Sequence, residues 1–145
     1  MAESQFLYVA YIRAPAEKVW AALADPEQNK LFWGGFHQES VWRVGADYAI
    51  RGPDGRTRDS GEVLEFDPPR RLAVSWLHRV DEAMRAEGHS IATFDLEGAG
   101  EGVTKLTLTH TAPVAASKLI GAVASGWPMI LSSLKSLLET GAALG

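Results

Sequence analysis

The chain has 145 residues, of which 46% are hydrophobic and 22% charged, a balance that predicts one folded domain over 1–145 rather than a disordered chain. It has no cysteine, which excludes disulfide bonds, a thiolate nucleophile and cysteine-ligated metal sites. The formal net charge is −4 and the basic residues are scattered, so the sequence gives no electrostatic support for binding nucleic acid.

The N-terminal part of the chain predicts one strand followed by two short helices. Residues 5–13 are rich in aromatic and β-branched types, which favour a strand. From Pro15 onward apolar residues recur at helical spacing, and the helix ends at Asp25 because the residue before a proline is pushed out of the α region. Asp25 then serves as the cap of a second short helix that begins at Pro26.

The middle of the chain predicts an antiparallel sheet. Between about 37 and 111, short runs of strand-forming residues are separated by turns that contain Gly and Pro. With strand 1 they make about seven strands, joined as consecutive antiparallel neighbours. The candidate strands are 41–45, 48–51, 61–66, 72–77, 90–96 and 104–110.

Alternation along the strands predicts which side chains point inward. In the last strand the apolar face includes His110, so we expect this histidine to lie inside the protein, where it needs a hydrogen-bond partner. Phe94 is expected to point inward from the preceding strand. In the 72–78 strand, both the face of Trp76 and the face of Ser75 are compatible with the interior.

The C-terminal stretch predicts a long amphipathic helix. Its apolar residues recur about every 3.6 positions from Ile120 to Leu138, which makes a broad stripe long enough to cross the sheet. Gly126 and Pro128 interrupt that stripe, because a proline inside a helix removes a hydrogen bond and clashes with the preceding turn. We therefore expect a helix start or a kink there, after a looser helical lead-in over 113–124.

Several segments resemble one known family. Residues 14–27 resemble the AP-x-x-x-VW-x-A-L-x-DPE opening of the small bacterial proteins named after the activator of the Hsp90 ATPase, which belong to the START-like, or Bet v 1-like, superfamily. The turn at 67–72, the stretch 106–110 and the Gly-Trp-Pro segment at 126–128 stand where that family has similar sequence. The resemblance runs along the length of the chain.

The resemblance implies an α+β helix-grip fold. In that fold a curved antiparallel sheet of about seven strands wraps round the long C-terminal helix, two short helices follow strand 1, and a pocket lies between sheet and helix. The superfamily spans lipid carriers, plant ligand binders, polyketide cyclases and co-chaperones, so the fold does not select a function. Many relatives have a double tryptophan after the first helices, whereas this chain has Phe32 and Trp33 there, which puts the details of the pocket mouth in question.

Candidate ligand-binding residues come from this expected pocket, because large aromatic faces suit a flat or apolar ligand. Trp33 and Phe36 flank two glycines at the expected mouth. Glu62 shares a face with Leu64 and Phe66, so it is a candidate inward carboxylate, whereas Trp20 is assigned to the core. The full candidate set is Trp33, Phe36, Glu62, Trp76, Phe94, His110, Trp127, Ile130, Leu131 and Leu134.

These residues also have purely structural interpretations. The tryptophans can fill the core, His110 can be a core histidine with satisfied hydrogen bonds, and Glu62 can reach solvent at a strand end. The four histidines have no metal-binding spacing, and the sequence contains no cofactor-binding motif, so neither a metal nor a cofactor is predicted. His78 and His89 are interpreted as solvated strand ends.

Three functions from different classes remain open. The first is a protein that binds a small, largely apolar molecule, aromatic or lipid-like. The second is an enzyme of the cyclase or hydrolase type that uses inward His110 or Glu62 as a general base. The third is a co-regulator of a chaperone ATPase, ranked last because 145 residues leave no room for the second domain of the eukaryotic activator. We expect a cytoplasmic monomer or dimer, since the sequence has no secretory signal and no apolar run of the roughly 20 residues that span a membrane.

Overall fold

A seven-stranded antiparallel sheet forms the frame of the structure, a computed structural model that describes residues 3–144. The strands are β1 (Ser4–Ile12), β2 (His37–Ser40), β3 (Asp47–Arg51), β4 (Thr57–Asp67), β5 (Arg71–His78), β6 (Ser90–Gly98) and β7 (Thr104–Ala112). Their order across the sheet is β1-β7-β6-β5-β4-β3-β2. The helices are α1 (Ala16–Ala24), α2 (Pro26–Phe32), α3 (Glu82–Ala86) and α4 (Lys118–Thr140). The predicted helix-grip fold is therefore confirmed.

The two short helices after β1 begin and end at the predicted signals. Pro26 is the first residue of α2, and the Asp25 side chain caps that helix by accepting a hydrogen bond from the Glu27 N–H at 3.0 Å. On α1, Trp20 is half-buried and packs against Phe66 with ring centroids 5.5 Å apart. The first helical segment thus closes one end of the core.

The predicted strand at 41–45 is wrong, because the chain turns there and the strand β2 precedes it. Trp42 has a φ of +52° and Gly45 a φ of +87°, and neither value is compatible with extended backbone. The Trp42 indole N–H donates to the Ala24 carbonyl oxygen at 3.1 Å. The apolar residue that suggested a strand instead anchors a turn to α1.

The long helix α4 begins at Lys118, so of the two predicted alternatives near Gly126, a helix start or a kink, the start is wrong. Ser117 caps the helix, and the helix continues through Pro128. Proline costs one hydrogen bond in the helix interior, but the burial of one face against the sheet stabilises the whole element. The buried residues of α4 are Leu119, Ile120, Trp127, Leu131, Ser133 and Leu134. In the described part of the chain no helix combines the length and hydrophobicity that crossing a bilayer would need.

The inward face of β5 is the face that carries Trp76. Trp76 and Val74 are buried at 2% and 0% exposure, whereas Ser75 is only partly buried. His110 on β7 is fully buried, as the alternation predicts. Packing against α4 therefore decides which face of β5 points inward, a point that the sequence left open.

A buried polar network joins α1, α2 and β2. Asn29 and Gln38 are fully buried and donate side-chain hydrogen bonds to carbonyl oxygens of Ala22 and Leu23, near the end of α1. Helix C-termini leave such carbonyls without intrahelical partners, so these side chains satisfy them. The network fixes α2 and with it the position of Trp33 at the end of that helix.

The backbone of Gly61 on β4 lies so close to β5 that one added methyl group is expected to have a large effect on stability. A Cβ at this position would overlap the carbonyl oxygen of Ser75 on β5 and lie 2.6 Å from its carbonyl carbon. We expect Gly61→Ala to lower the free energy of unfolding by about 2 kcal/mol, because the two strands must separate. Urea denaturation measures this. The matched control is Gly98→Ala, whose Cβ meets nothing within 4 Å, and an equal loss in both variants would contradict the close approach.

Candidate functional site

A cavity of about 160 Å³ lies between the sheet and α4. One part of its wall is aromatic and consists of the indoles of Trp33, Trp76 and Trp127. The other end is polar and consists of Arg58, Asp59 and His78. An engineered apolar cavity of about 150 Å³ holds benzene, so this space fits a molecule built on an aromatic ring. The remaining lining residues are Met84, Leu119, Ala122, Val123, Gly126 and Ile130.

Trp127 is the centre of the aromatic wall. Its ring centroid lies 5.4 Å from that of Trp33, 5.5 Å from Trp76 and 5.6 Å from Phe94, in tilted or edge-to-face arrangements. These separations and angles are the ones that aromatic pairs prefer, because the positive edge of one ring meets the negative face of another. The wall is therefore a packed cluster with a defined geometry.

His110 lies behind this wall, and both of its ring nitrogens are occupied. The Trp127 indole N–H donates to His110 Nδ1 at 3.1 Å, which assigns the proton of a neutral ring to Nε2. Nε2 then donates to Ser90 Oγ at 2.8 Å, and the Ser90 hydroxyl donates to the Trp76 carbonyl oxygen at 3.2 Å. Burial lowers the pKa of His110 from 6.5 to about 4. The ring is thus neutral near pH 7, and its free lone pair is already used.

The polar end of the cavity is organised round Asp59, which is 1% exposed. Its Oδ1 accepts hydrogen bonds from the Trp76 indole N–H and from His78 Nδ1, both at 2.9 Å. Its Oδ2 accepts from Arg58 Nε at 2.7 Å. A buried carboxylate is costly unless it is paired, and these three donors supply the pairing. The Arg58 guanidinium also lies over the Phe36 ring, 4.3 Å from its centroid.

This polar group was not predicted. The predicted strand began at 61, which left Asp59 outside, and His78 was interpreted as a solvated strand end. The sequence did contain a signal for His78, because residues 76 and 78 of a strand lie on the same face. If Trp76 points inward, His78 does so as well. The short helix α3 was also missed; it begins after Asp81, whose side chain accepts from the Met84 N–H at 3.0 Å, and it adds Met84 to the cavity wall.

The predicted pocket residues divide into three groups. Four of them line the cavity: Trp33, Trp76, Trp127 and Ile130. Four others are fully buried in the core behind that lining: Phe94, His110, Leu131 and Leu134. Phe36 lies beside the cavity under Arg58 and lines the neighbouring grooves.

Glu62 is the exception, because the structure places it at the surface and away from the cavity. The prediction assumed that Glu62 and Phe66 share a face. A register shift in β4 just after Val63 inserts an extra residue, so Asp59 and Val63 point inward before it and Phe66 points inward after it. Glu62 therefore faces outward, and its proposed role as an inward carboxylate is wrong.

A second, more open groove of about 440 Å³ shares Trp33, Arg58, Gly126 and Ile130 with the lining of the cavity. Trp33 also lines that groove and is followed by Gly34 and Gly35, which have φ values of +60° and +85°. Its indole N–H is buried without a hydrogen-bond partner, an arrangement that costs about 1–3 kcal/mol. Within residues 3–144 no cluster of three or more metal-ligating side chains forms.

Comparisons with known proteins place this geometry in context. A family model described as "Activator of Hsp90 ATPase homolog 1-like protein" matches residues 13–139. Protein MLL2253 from Mesorhizobium loti is 25% identical, and the match covers 94% of this chain and 97% of that chain with a TM-score of 0.79. CalU16 from Micromonospora echinospora is also 25% identical, covering 93% and 74% with a TM-score of 0.75.

A third structure is similar in fold alone. It is PFC0360w, described as an HSP90 activator from Plasmodium falciparum, with 23% identity, coverage of 92% and 95%, and a TM-score of 0.74. No curated protein matches the sequence significantly.

Proposed function

Because this chain belongs to the activator of Hsp90 ATPase homolog 1-like family, we propose that it binds a small, largely apolar aromatic molecule between the sheet and α4. The observation that supports this proposal is the unfilled space of about 160 Å³ beside three indoles. Protein interiors are normally close-packed, and the indole-lined part of this space favours an apolar ring over water. Its polar end adds hydrogen-bonding groups that can orient a ligand with one oxygen atom.

The ligand-binding proposal predicts that filling the cavity from α4 abolishes binding. Gly126 lines the cavity and a Cβ there meets nothing within 4 Å, so the side chain of Gly126→Leu can enter the space. With 2-naphthol as the probe, we expect the dissociation constant to rise at least about tenfold. Isothermal titration calorimetry measures the constant, and the indole N–H signals of the three cavity tryptophans in ¹H–¹⁵N spectra report the site.

The matched control is Gly121→Leu on the same helix. Gly121 also has free space at its Cβ, but it does not line the cavity. Both substitutions replace a helical glycine, so both raise helix propensity by a similar amount. Equal weakening in the two variants, or no binding of 2-naphthol by the wild-type protein, would overturn the proposal.

A co-regulator of a chaperone ATPase is the second candidate, and one observation favours it. The outer face of β1 exposes Leu7, Val9 and Tyr11 at 56%, 40% and 54%, on an edge strand that contributes no residue to the lining of the cavity. An exposed apolar patch is a common feature of protein-binding surfaces. Stimulation of a chaperone ATPase that persists in Gly126→Leu but disappears when Leu7 and Val9 are replaced by threonine would favour this candidate.

A further inference from the structure

Among the histidines of residues 3–144, His78 is the one that a buried carboxylate holds at the cavity. The side chains of Asp59 and His78 are 2% and 12% exposed, and Asp59 Oδ1 lies 2.9 Å from His78 Nδ1. A carboxylate oxygen can only accept, so Nδ1 carries a proton and Nε2 of a neutral ring has the free lone pair. Among the residues from 3 to 144, Nε2 has no hydrogen-bond partner and is not enclosed. Because His78 lines the cavity, this lone pair is available to a molecule bound there.

The carboxylate that orients His78 is itself immobilised. Asp59 and His78 are directly opposite each other in the β4–β5 register. The Trp76 indole N–H holds the same oxygen, Oδ1, at 2.9 Å, and Arg58 Nε holds Oδ2 at 2.7 Å. Trp76 is 2% exposed, so the group is packed into the wall of the cavity. A base whose partner is fixed in this way is preorganised for proton transfer.

We propose that His78 acts as a general base on a small aromatic carbon acid bound in the cavity, with Asp59 as its positioning residue and Arg58 facing the developing oxyanion. This inference rests on the proposed function, because it requires an aromatic ligand at that site. The substrate class is a molecule whose acidic C–H adjoins a group that takes up the electron pair on oxygen. The reaction class is an elimination or isomerisation that needs no second reactant.

The surroundings of His78 suit this chemistry. Aromatic walls exclude water and strengthen electrostatic interactions within the cavity. Arg58 uses Nε to bind Asp59 and is also a lining residue of the cavity, where its positive charge can stabilise a developing oxyanion. His110 and Glu62 cannot take the role of base, because the lone pair of His110 accepts the Trp127 N–H and Glu62 faces solvent.

The test reaction is the ring opening of 5-nitrobenzisoxazole, a flat bicyclic carbon acid. Its C3 proton passes to His78 Nε2, and the electron pair of the C–H bond becomes the third bond of a nitrile. The N–O bond breaks with its electron pair on oxygen, which gives 2-cyano-4-nitrophenolate. The imidazolium then returns the proton to water, so the reaction is an isomerisation with no oxidant or co-reactant, and the coloured phenolate reports the rate.

The decisive comparison is between two histidines. General-base catalysis contributes about a hundredfold or more, so we expect kcat/KM to fall by about that factor in His78→Gln and in His78→Ala. The matched control His89→Gln removes a histidine that does not line the cavity, and its rate stays within about twofold of the wild-type rate. Imidazole added to the solution restores activity to His78→Ala, which a purely structural role for His78 would not allow.

Asp59→Asn tests positioning separately from binding. Asparagine retains the size of the side chain but can hold the opposite tautomer of His78, so we expect kcat to fall at least about tenfold with little change in KM. Urea denaturation of the same variant shows whether the protein remains folded under the assay conditions.

The possible results distinguish the role of His78 as a base from the binding of a ligand in the cavity. A wild-type protein that binds 2-naphthol but opens the probe no faster than free imidazole overturns the assignment of His78 and leaves the ligand-binding proposal intact. A rate that persists in His78→Gln overturns it equally. Loss of the rate in His78→Gln, competitive inhibition by 2-naphthol and rescue by imidazole together support it.

Discussion

Trp127→Ala is expected to lower the free energy of unfolding by about 4 kcal/mol or more, measured by urea denaturation. Trp127 is 2% exposed and packs against Trp33, Trp76 and Phe94. Its truncation removes those contacts and leaves a large cavity that the helix and sheet cannot close. It also removes the donor to His110 Nδ1, so a buried acceptor loses its partner.

Trp127→Phe separates the ring from its N–H group. Phenylalanine keeps most of the aromatic packing but cannot donate to His110, so we expect an intermediate loss of about 1–3 kcal/mol. Trp20→Ala is the control at a half-buried tryptophan and should cost less than Trp127→Ala. A Trp127→Phe variant as unstable as Trp127→Ala would show that the hydrogen bond, and not the aromatic cluster, dominates the stability at this position.

Acidification is expected to destabilise the protein through His110. The pKa of His110 is about 4 in the folded state against 6.5 for a free histidine, so between these values the unfolded chain binds a proton that the folded protein excludes. The free energy of unfolding therefore rises with pH through this window. The contribution is complete above 6.5 and is lost as the pH falls toward 4, by about 3 kcal/mol in all.

The variant that isolates this effect is His110→Gln. Its amide oxygen can accept the Trp127 N–H and its amide nitrogen can donate to Ser90, but it does not titrate. Unfolding free energies measured at several pH values between 4 and 7 should show a shallower slope in His110→Gln than in the wild-type protein. His89→Gln, which changes a histidine outside the core, should retain the wild-type slope; identical slopes in all three proteins would contradict the role of His110.

The two predictions concern one unit, because Trp127 and His110 complete each other's hydrogen bonds. Trp127 is at once the centre of the core cluster and the wall of the cavity. Stability and ligand binding are therefore coupled at this residue, so a change in the affinity of a Trp127 variant reflects both the loss of core packing and the change in the cavity wall. Gly126, one position earlier, has no side chain in the cluster, so its substitution fills the cavity without removing an aromatic contact.

Much of the candidate site followed from sequence patterns, and the exceptions have identifiable causes. Trp127 and Ile130 line the cavity because helical periodicity places them on the inward side of α4, whereas Trp33 and Trp76 were expected there from the position of the pocket in the helix-grip fold. Glu62 was misplaced because the register shift in β4 changes which alternate residues of the strand face inward. Sequence alternation does not reveal this shift, since Leu64, where the shift occurs, is apolar like Val63 and Phe66.

The sequence by itself indicated the family through motifs such as residues 14–27. It also located six of the seven strands, the two short helices after β1 and a C-terminal helix, but not β2 or α3, because local periodicity, capping and turn residues act within a few positions. Only the tertiary structure decided that α4 runs through Pro128, since burial of its apolar face outweighs a local helix-breaking preference. It also decided which polar groups meet. Asp59 and His78 come together because β4 and β5 pair in one register, and that register depends on contacts between segments distant in the chain.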